Sequence, residues 1–277
     1  MRSWPGSAVA TRAANRPESN QERLMAQLPA FVINLDRRPD RLAAIMENLD
    51  RIGVEATRIS AVDATSLPAL ERPDNLNLGA RACLLSHCKA LRAFLATASP
   101  AALILEDDAE VASDTAALLE STDWWPPGAS VLKLESTGRK PRFVGAHRGR
   151  TPTGRSLRRM YHGSGGAAGY LIDRTAARTV LDSCEETPMQ IDRILFGQHR
   201  SRTARRLRPL QIVPAMVRQR RGPSDPSDNV PWKQKAKQEG LLSDRQWHRL
   251  GAMFHNLTVV ALRAGGRVQR VPIPFEP

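Results

Sequence analysis

The stretch ALILEDDAEV, residues 102–111, joins an apolar run of strand length to three consecutive acids. The run is short, aliphatic and bounded by charge, which predicts a buried β-strand. Three adjacent carboxylates repel one another unless a cation or a hydrogen-bond donor lies near them. In an open α/β sheet, ligands bind at the carboxyl ends of the strands. We therefore expect Glu106, Asp107 and Asp108 to lie at the end of a central strand, beside a ligand.

Strands and helices alternate on both sides of this stretch. FVINLD (31–36) and SVLKLES (130–136) are short apolar runs that predict two further strands. Apolar residues recur at helical spacing between them, and the longest predicted helix runs from about residue 80 to 98. This alternation is typical of an α/β fold with a mostly parallel central sheet flanked by helices.

The 277 residues are enough to bury a full hydrophobic core, and three segments differ in composition. The polar, Pro-containing segment 1–28 is interpreted as a disordered extension without a secretory signal. Residues 29–222 carry the predicted strands and most of the helices. Residues 223–277 are interpreted as a loop and an amphipathic helical tail. The apolar stripe of this tail consists of Trp247, Leu250, Phe254, Leu257 and Ala261.

The net charge of +13 is concentrated in two stretches without acids, 139–160 and 198–222. Such a charge predicts an anionic partner, either a phosphorylated glycolipid, a membrane surface or a nucleic acid. The alternative is that these arginines simply lie in solvated loops. No helix–turn–helix, zinc-finger or RNA-recognition signature accompanies the charge, so a nucleic acid is not expected.

The acids at the strand end are suited to a hard divalent cation. Adjacent residues of an extended chain point to opposite sides, so Glu106 and Asp108 are expected to share one face. Carboxylate oxygens are the ligands that Mg²⁺ and Mn²⁺ prefer. We therefore predict that Glu106 and Asp108 hold Mn²⁺ or Mg²⁺. The alternative is that Asp107 or Asp108 caps a following helix.

Six blocks occur in this order: FVINLDRRPDRL, TRISAVDA, LGARACLLSHCKALRAFL, ALILEDDAEV, GAAGYLIDRTAARTVLD and PMQID. Together they resemble glycosyltransferase family 25, the bacterial lipooligosaccharide and lipopolysaccharide galactosyltransferases, and the resemblance covers about residues 31–219. The resemblance implies a GT-A-like nucleotide-diphospho-sugar transferase fold, a UDP-sugar donor that is usually UDP-galactose, and a metal-dependent inverting transfer. It also implies that the acid triplet binds the metal of the donor diphosphate.

Several polar residues are expected to contact the donor. Nucleotides usually bind where the first strand of such a fold leads into its helix and where the second strand ends. Alternatively, Arg37 is a surface charge and Asp63 is a turn acid. Asp107 is expected to hydrogen-bond the ribose or the donor sugar. The predicted donor contacts are Asn34, Asp36, Arg37, Arg58, Asp63, Ser86, His87 and Asp107.

The Ser86–His87 pair matches the family's Ser-His pair, and it is not a hydrolase signature because adjacent helical residues do not face each other. We expect these residues to line the donor site or to pin the helix beneath it. Cys83, His87 and Cys88 offer only a partial zinc shell. The odd number of cysteines gives no disulfide framework and indicates a reducing cytoplasm.

An inverting transfer needs a base for the acceptor hydroxyl. Asp192 matches the family's late acidic position and is the first candidate, with Glu135 second. The alternative is that Asp192 is favoured in a first helical turn by the helix dipole. Gly163, Gly165 and Gly166 are expected to form a wall between donor and acceptor, or else a flexible hairpin.

The leading hypothesis is an enzyme that moves a hexose, galactose by family resemblance, from a UDP-sugar to a lipopolysaccharide core acceptor. It would be cytoplasmic and peripheral on the inner membrane. The alternative is a non-catalytic basic protein that binds anionic lipid or nucleic acid. A degenerate transferase is a third hypothesis, because the sequence departs from the family past about residue 222. Stabilisation by UDP with Mn²⁺ would separate enzyme from binding protein.

Overall fold

The structure is a computed structural model that describes residues 27–68, 76–138, 142–161, 165–186, 189–199, 201–220 and 257–277. The predicted N-terminal extension lies almost entirely outside the described residues. Gly163 and the first part of the predicted apolar stripe, Trp247, Leu250 and Phe254, lie outside them as well. None of the described helices is both long enough and apolar enough to cross a membrane.

The strands and helices alternate through the first half of the chain. The strands are β1 (Ala30–Asn34), β2 (Ala56–Ser60), β3 (Ala101–Glu106), β4 (Ala109–Val111), β5 (Val131–Lys133), β6 (Arg142–Arg150), β7 (Ser156–Met160), β8 (Gly169–Asp173), β9 (Leu210–Val213), β10 (Val217–Gln219) and β11 (Val268–Val271). The helices are α1 (Pro39–Arg51), α2 (Leu78–Ala96), α3 (Arg174–Glu186), α4 (Ile191–Phe196) and α5 (Arg202–Leu207). Short 3₁₀ helices span Ala64–Ser66 and Ser113–Leu119, and residues 257–264 are helical.

The described strands form one large sheet in the order β11-β6-β7-β9-β5-β8-β3-β1-β2, and β4 pairs with β10 beside it. Strand β1 runs parallel to β2 and β3, and β5 runs parallel to β9. The other pairs of the large sheet are antiparallel. The predicted α/β fold with a central sheet and flanking helices is confirmed. The sheet is mixed, because β8 enters antiparallel between β3 and β5 and because β6 and β7 form a hairpin.

Local sequence explains the two longest helices of the first half. Helix α1 begins at Pro39, whose fixed φ suits a first helical position, and the chain leaves it through Gly53 at φ +71°. Helix α2 is capped by Asn77, whose side-chain oxygen accepts a 2.7 Å hydrogen bond from the backbone N–H of Ala80. Both helices therefore begin and end where the sequence supplies the required backbone conformation or cap.

Apolar side chains alternate across the central strands and build a core on each face of the sheet. On one face, Phe31 and Ile104 pack with residues of α2, α3 and α4. On the other face, Val32 and Leu105 pack with Ile45 and other residues of α1. Both faces of this part of the sheet are covered, as is usual for parallel strands.

The residues after 256 return to the main domain. Strand β11 pairs antiparallel with β6 at the edge of the sheet. The hydroxyl of Ser136 donates a 2.6 Å hydrogen bond to the carbonyl of Ile273, and the backbone N–H of Ala215 donates to the carbonyl of Pro274 at 2.8 Å. The predicted tail therefore contains a helix at residues 257–264, followed by a segment that completes the sheet.

The β6–β7 hairpin lies in the first acid-free stretch, residues 139–160, whose many glycines and arginines are more typical of loops than of strands. Its apolar residues Val144, Leu157 and Met160 are buried, but arginines and glycines interrupt the alternation between them. The register of the hairpin shifts twice between Val144 and Gly149. This irregularity removes the period of two by which a strand is recognised.

Candidate functional site

One edge of the sheet gathers the polar residues. Strands β1, β2 and β3 are parallel, so their carboxyl ends meet there. Strand β5 is antiparallel to β8, and β8 is antiparallel to β3, so β5 ends at the same edge and β8 begins there. As a result, Asn34, Glu106, Glu135 and the Gly165–Gly166 segment lie around one opening. This is the place at which α/β folds bind ligands.

Glu106 is the last residue of β3, and Asp107 and Asp108 form the turn into β4. The chain is therefore not extended through all three acids, and the predicted alternation of their faces does not apply past Glu106. Asp107 is buried, while Glu106 and Asp108 are half-buried. One carboxylate oxygen of Glu106 lies 3.1 Å from Nε2 of His87, and the other accepts a 3.5 Å hydrogen bond from Gln219.

Asp107 belongs to a buried polar chain that links three elements. Its Oδ2 accepts a 2.8 Å hydrogen bond from the side-chain amide of Asn34, and its Oδ1 lies 3.5 Å from Nη1 of Arg41. Asn34 in turn accepts a 3.0 Å hydrogen bond from Nε of Arg58. Burial raises the pKa of the Asp107 carboxyl, and the hydrogen bond from Asn34 opposes that shift. These contacts fix Asp107 and Asn34 in place, and their roles toward a donor remain predictions.

Asp108 carries an unsatisfied carboxylate. Among the described residues, its buried Oδ1 has no hydrogen-bond partner. Burial raises the pKa of Asp108 from 3.8 to about 8, and the neighbouring charges of Glu106 and Asp107 add to the shift. A buried oxygen that binds a proton more tightly is also suited to a metal cation, because a proton and a cation each neutralise the same unpaired negative charge. The Asp108 oxygen is therefore suited to a divalent cation, and the binding of one ion by Glu106 and Asp108 together stays a prediction.

Two ion pairs line the rim of the opening. Arg58 pairs with Asp36, which also accepts a 3.0 Å hydrogen bond from the hydroxyl of Ser60. Nε of Arg37 donates to Asp63 at 2.8 Å.

Asp63 caps the first 3₁₀ helix through the backbone N–H of Thr65 at 2.9 Å, so its turn role is present in the structure. The Thr65 N–H and Arg37 lower the pKa of Asp63 to about 2. Asp63 is thus a firmly ionised acid at the rim.

The neighbours Ser86 and His87 have separate contacts. The hydroxyl of Ser86 accepts a 2.8 Å hydrogen bond from the backbone N–H of Val62 and donates to the carbonyl of Ala82 at 2.7 Å. Ser86 therefore pins the loop after β2 to α2. His87 is fully buried, and its Nδ1 lies 3.0 Å from the hydroxyl of Tyr170. The two rings stack with centroids 5.8 Å apart. His87 thus connects Tyr170 to Glu106.

Glu135 shares a buried ion pair with Lys133, a residue that sequence reasoning missed. Both side chains are fully buried, and Nζ of Lys133 lies 3.2 Å from Oε2 of Glu135. Nζ also donates to the backbone carbonyl of Gly166 and lies 4.3 Å from the ring centroid of Phe196. The available signal was a lysine and a glutamate two residues apart in the apolar run SVLKLES, which places both on one side of the strand.

Asp192 faces the same opening from the first turn of α4. Its Oδ2 accepts a 3.3 Å hydrogen bond from the backbone N–H of Gly166. The charges of Glu106, Asp192 and Asp108 all raise the pKa of the Cys83 thiol, after the larger effect of burial. Of these three carboxylates, Glu106 lies within 4.8 Å of the Cys83 sulfur. The structure brings both candidate bases, Asp192 and Glu135, to the same Gly166 segment.

Gly166 separates the two candidate bases and leaves no room for a side chain. Its φ is +87°, and a Cβ there would lie 2.2 Å from Oε1 of Glu135. The Glu135 carboxylate is held by Lys133 and by the backbone N–H of Ala168 at 3.0 Å, so it cannot easily withdraw. Gly165, by comparison, is exposed, and a Cβ there would lie 3.7 Å from Asp192.

Gly166→Ala is expected to destabilise the protein more than Gly154→Ala does. Both glycines have φ +87°, but nothing lies within 4 Å of a Cβ at Gly154. Gly154→Ala should lose about 1–2 kcal/mol through backbone strain alone. Gly166→Ala should lose a further ~1–3 kcal/mol through overpacking against Glu135. Urea unfolding of both variants measures the difference, and equal losses would show that Glu135 yields without cost.

A search with protein-family models finds that glycosyltransferase family 25 (LPS biosynthesis protein) matches residues 27–195. The match includes the acid triplet, Glu135 and Asp192, and it covers more than half of the chain. No curated protein matches the sequence significantly. A search of solved structures finds the crystal structure of a glycosyltransferase involved in the glycosylation of the major capsid of PBCV-1. It is 10% identical with a TM-score of 0.36, and the alignment covers 72% of this chain and 94% of that chain. A TM-score of this size does not establish a shared fold.

Proposed function

The chain belongs to glycosyltransferase family 25, and from this premise we propose that it transfers a hexose from a UDP-sugar to a saccharide of the lipopolysaccharide core. Galactose is the proposed hexose, and inversion at the anomeric carbon is the proposed course. The observation that carries this proposal is the unpaired, buried carboxylate oxygen of Asp108 beside Glu106, at the edge where the strands end.

Asp108 and Glu106 are the residues that would hold Mn²⁺ or Mg²⁺. Such an ion would neutralise the charge that develops on the diphosphate leaving group. Asp108 supplies the unsatisfied oxygen, and Glu106 is positioned beside it by His87 and Gln219. Asp107 serves differently in this proposal, because Asn34 and Arg41 already engage both of its oxygens.

The rim residues would orient the nucleotide. Hydrogen bonds link Arg58 to Asn34 and Asn34 to Asp107, and groups that are already held in place position a ligand at a lower entropic cost than mobile ones. Asp36, Arg37 and Asp63 are nearer the surface, where they can exchange their present partners for ribose, uracil or phosphate. This arrangement supports the predicted donor contacts without assigning each atom a partner.

Asp192 is our choice for the base that removes the acceptor proton. It is half-buried and reaches the opening, whereas Glu135 is fully buried behind Gly166 and paired with Lys133. A base must lie within hydrogen-bond reach of the hydroxyl that it deprotonates. Glu135 is therefore proposed to hold Lys133 and the Gly166 segment in place, and it remains the second candidate.

A thermal-shift assay with a donor screen tests the proposed function. UDP with Mn²⁺ should raise the melting temperature by mass action, and EDTA should abolish the rise. Incubation with UDP-galactose, UDP-glucose and other UDP-sugars should then release UDP with a lipopolysaccharide core acceptor. No stabilisation by any nucleotide with metal would favour the alternative of a non-catalytic basic protein.

The stability of the metal-free protein should fall as the pH rises from about 4 to about 8. The pKa of Asp108 is raised from 3.8 to about 8 by burial and nearby acids, so the folded protein holds a proton that the unfolded chain releases. The unfolding free energy should therefore decrease by up to about 1.4 kcal/mol per pH unit across this window. Unfolding in EDTA measures it, and Asp108→Asn should reduce the slope. An unchanged slope in that variant would assign the titration elsewhere.

We propose that the protein acts in the cytoplasm on the face of the inner membrane, with the sheet edge formed by β11 and β6 toward anionic lipid. Arg148 and Arg150 of β6 are exposed there, as are Arg267 and Arg270 near β11. Binding to vesicles that contain phosphatidylglycerol should weaken as salt rises, because exposed charges are screened over about 10 Å at 0.1 M. Sedimentation with these vesicles, and with neutral phosphatidylcholine vesicles as control, checks this expectation. Equal binding to both would contradict it.

A further inference from the structure

Three side chains of different chemistry meet beneath the acid triplet. Cys83 and His87 lie four residues apart on α2, so they occupy one face of that helix. Glu106 reaches them from the end of β3. A thiol sulfur, an imidazole nitrogen and a carboxylate oxygen of these residues all lie within 4.8 Å of one another. Of the zinc ligands considered from sequence, Cys88 is absent from this group and Glu106 takes its place.

We propose that Cys83, His87 and Glu106 form a binding site for Zn²⁺ or a similar thiophilic divalent ion. This site differs in its metal preference from the site of Glu106 and Asp108, which is proposed to hold Mn²⁺ or Mg²⁺. Thiolate and imidazole ligands favour zinc, whereas carboxylates and water suit magnesium and manganese. Nε2 of His87 and Oε1 of Glu106 are 3.1 Å apart. Two tetrahedral ligands at bond lengths of about 2.0–2.2 Å have a similar separation, so these two atoms need little movement.

Tyr170 holds the imidazole in the orientation that the site requires. Its hydroxyl lies 3.0 Å from Nδ1 of His87, and its ring stacks on the imidazole. Nε2 is thereby directed at Glu106. At 3.1 Å, Nε2 and the carboxylate oxygen of Glu106 share a hydrogen. A cation bound between these two atoms would take the place of that hydrogen. A hydrogen-bond partner on the second ring nitrogen is usual for metal-binding histidines.

The surrounding charge favours a cation at this place. Glu106 places a carboxylate within 4.8 Å of the Cys83 sulfur, and the negative charges of Asp108 and Asp192 act on the pKa of this thiol in the same direction. A divalent ion would compensate these carboxylates and would stabilise the Cys83 thiolate. Cys83 and Glu106 are both half-buried, so the group is not sealed inside the core. Three protein ligands would leave a fourth position for water.

Glu106 would belong to both metal sites, and this has a consequence that rests on the proposed function. An ion held by Cys83 and His87 would draw Glu106 away from the ion beside Asp108. Zinc should then weaken the binding of UDP with Mn²⁺, while magnesium should not compete at the thiol.

Cobalt is the probe for this site, because a thiolate ligand gives Co²⁺ an intense charge-transfer absorption. The wild-type protein should bind Co²⁺ with this absorption, and stoichiometric Zn²⁺ should remove it. Cys83→Ser should lose the absorption and bind Zn²⁺ at least about 100-fold more weakly. Cys88→Ala is the matched control on the same helix, and it should retain both properties. Tyr170→Phe should weaken Zn²⁺ binding about 10- to 100-fold, the usual effect of losing such a supporting partner.

Circular dichroism of each variant shows whether it is folded. If Cys83→Ser does not fold, Cys83→Ala provides a second test. Absence of thiolate absorption in the wild type, or its survival in a folded Cys83 variant, would overturn the proposal. Neither measurement uses a sugar donor. If cobalt binds through Cys83 and no UDP-sugar is consumed, the proposed function fails while the metal site stands.

Discussion

Asp108→Asn is expected to lower sugar transfer by about a thousandfold, close to 4 kcal/mol of transition-state stabilisation. The variant keeps the size of the side chain and removes the charge that would hold the divalent ion. Since such an ion would also neutralise the diphosphate, the variant should lose stabilisation by UDP with Mn²⁺ as well as turnover. Initial rates at saturating acceptor and thermal shifts with UDP measure the two effects.

Two further measurements make the Asp108→Asn result specific. Metal-free Asp108→Asn should be at least as stable as the wild type at pH 8, because a buried carboxylate without a partner has been neutralised. Asp123→Asn, the same substitution at an exposed position, should leave both rate and stability unchanged. Near wild-type turnover of Asp108→Asn, or full turnover of the wild type in EDTA, would refute metal binding by Asp108.

Asp192→Asn is expected to reduce transfer about 10²–10⁴-fold while leaving the donor complex intact. The proposed base contacts the acceptor and not the diphosphate, so UDP with Mn²⁺ should stabilise the variant as it stabilises the wild type. The hydrogen bond from the backbone of Gly166 can be retained, because the asparagine carbonyl is still an acceptor. Parallel measurements of rate and of UDP-induced thermal shift separate this behaviour from that of Asp108→Asn.

Glu135→Gln is the comparison for Asp192→Asn. Removing the charge of Glu135 leaves Lys133 buried without its ion-pair partner, which should cost about 3–5 kcal/mol of stability. A loss of activity in that variant should therefore come with a lower melting temperature. If Asp192→Asn keeps its activity while folded Glu135→Gln loses it, the base is Glu135. Asp192 would then be an acid that stabilises the start of α4.

The parts of the fold that were predictable have strong local patterns. Helix α2 closely matches the helix predicted from about residue 80 to 98. Strands β1 and β3 overlap the predicted apolar runs and each begins one residue earlier, because continuous burial leaves an uninterrupted apolar signal. The direction of β8 was not predictable, since an antiparallel strand between β3 and β5 has the same composition as a parallel one. Strand β11 was missed because its VQRV sequence buries a single side chain fully.

The sequence was most informative about the candidate site where acidic residues directly follow a predicted strand. Glu106 and Asp108 stood out because acids directly after an apolar run have few structural explanations. The turn at Asp107 was not visible, because the following AEV segment forms a strand of its own. The partners of the acids come from distant segments, and the pairing of His87 with Tyr170 joins residues 83 positions apart. No local pattern encodes such a contact.

The pairing of β11 with β6 has a consequence for synthesis on the ribosome. Strand β6 is translated long before β11, so one edge of the growing sheet stays unpaired while the intervening chain is made. Exposed strand edges recruit other chains, and charged side chains are a common protection against this. Arg148 and Arg150 extend from β6 beyond the register that β11 covers. We expect the charges of Arg148 and Arg150 to lower the tendency of the unpaired β6 to recruit other chains until β11 has been made.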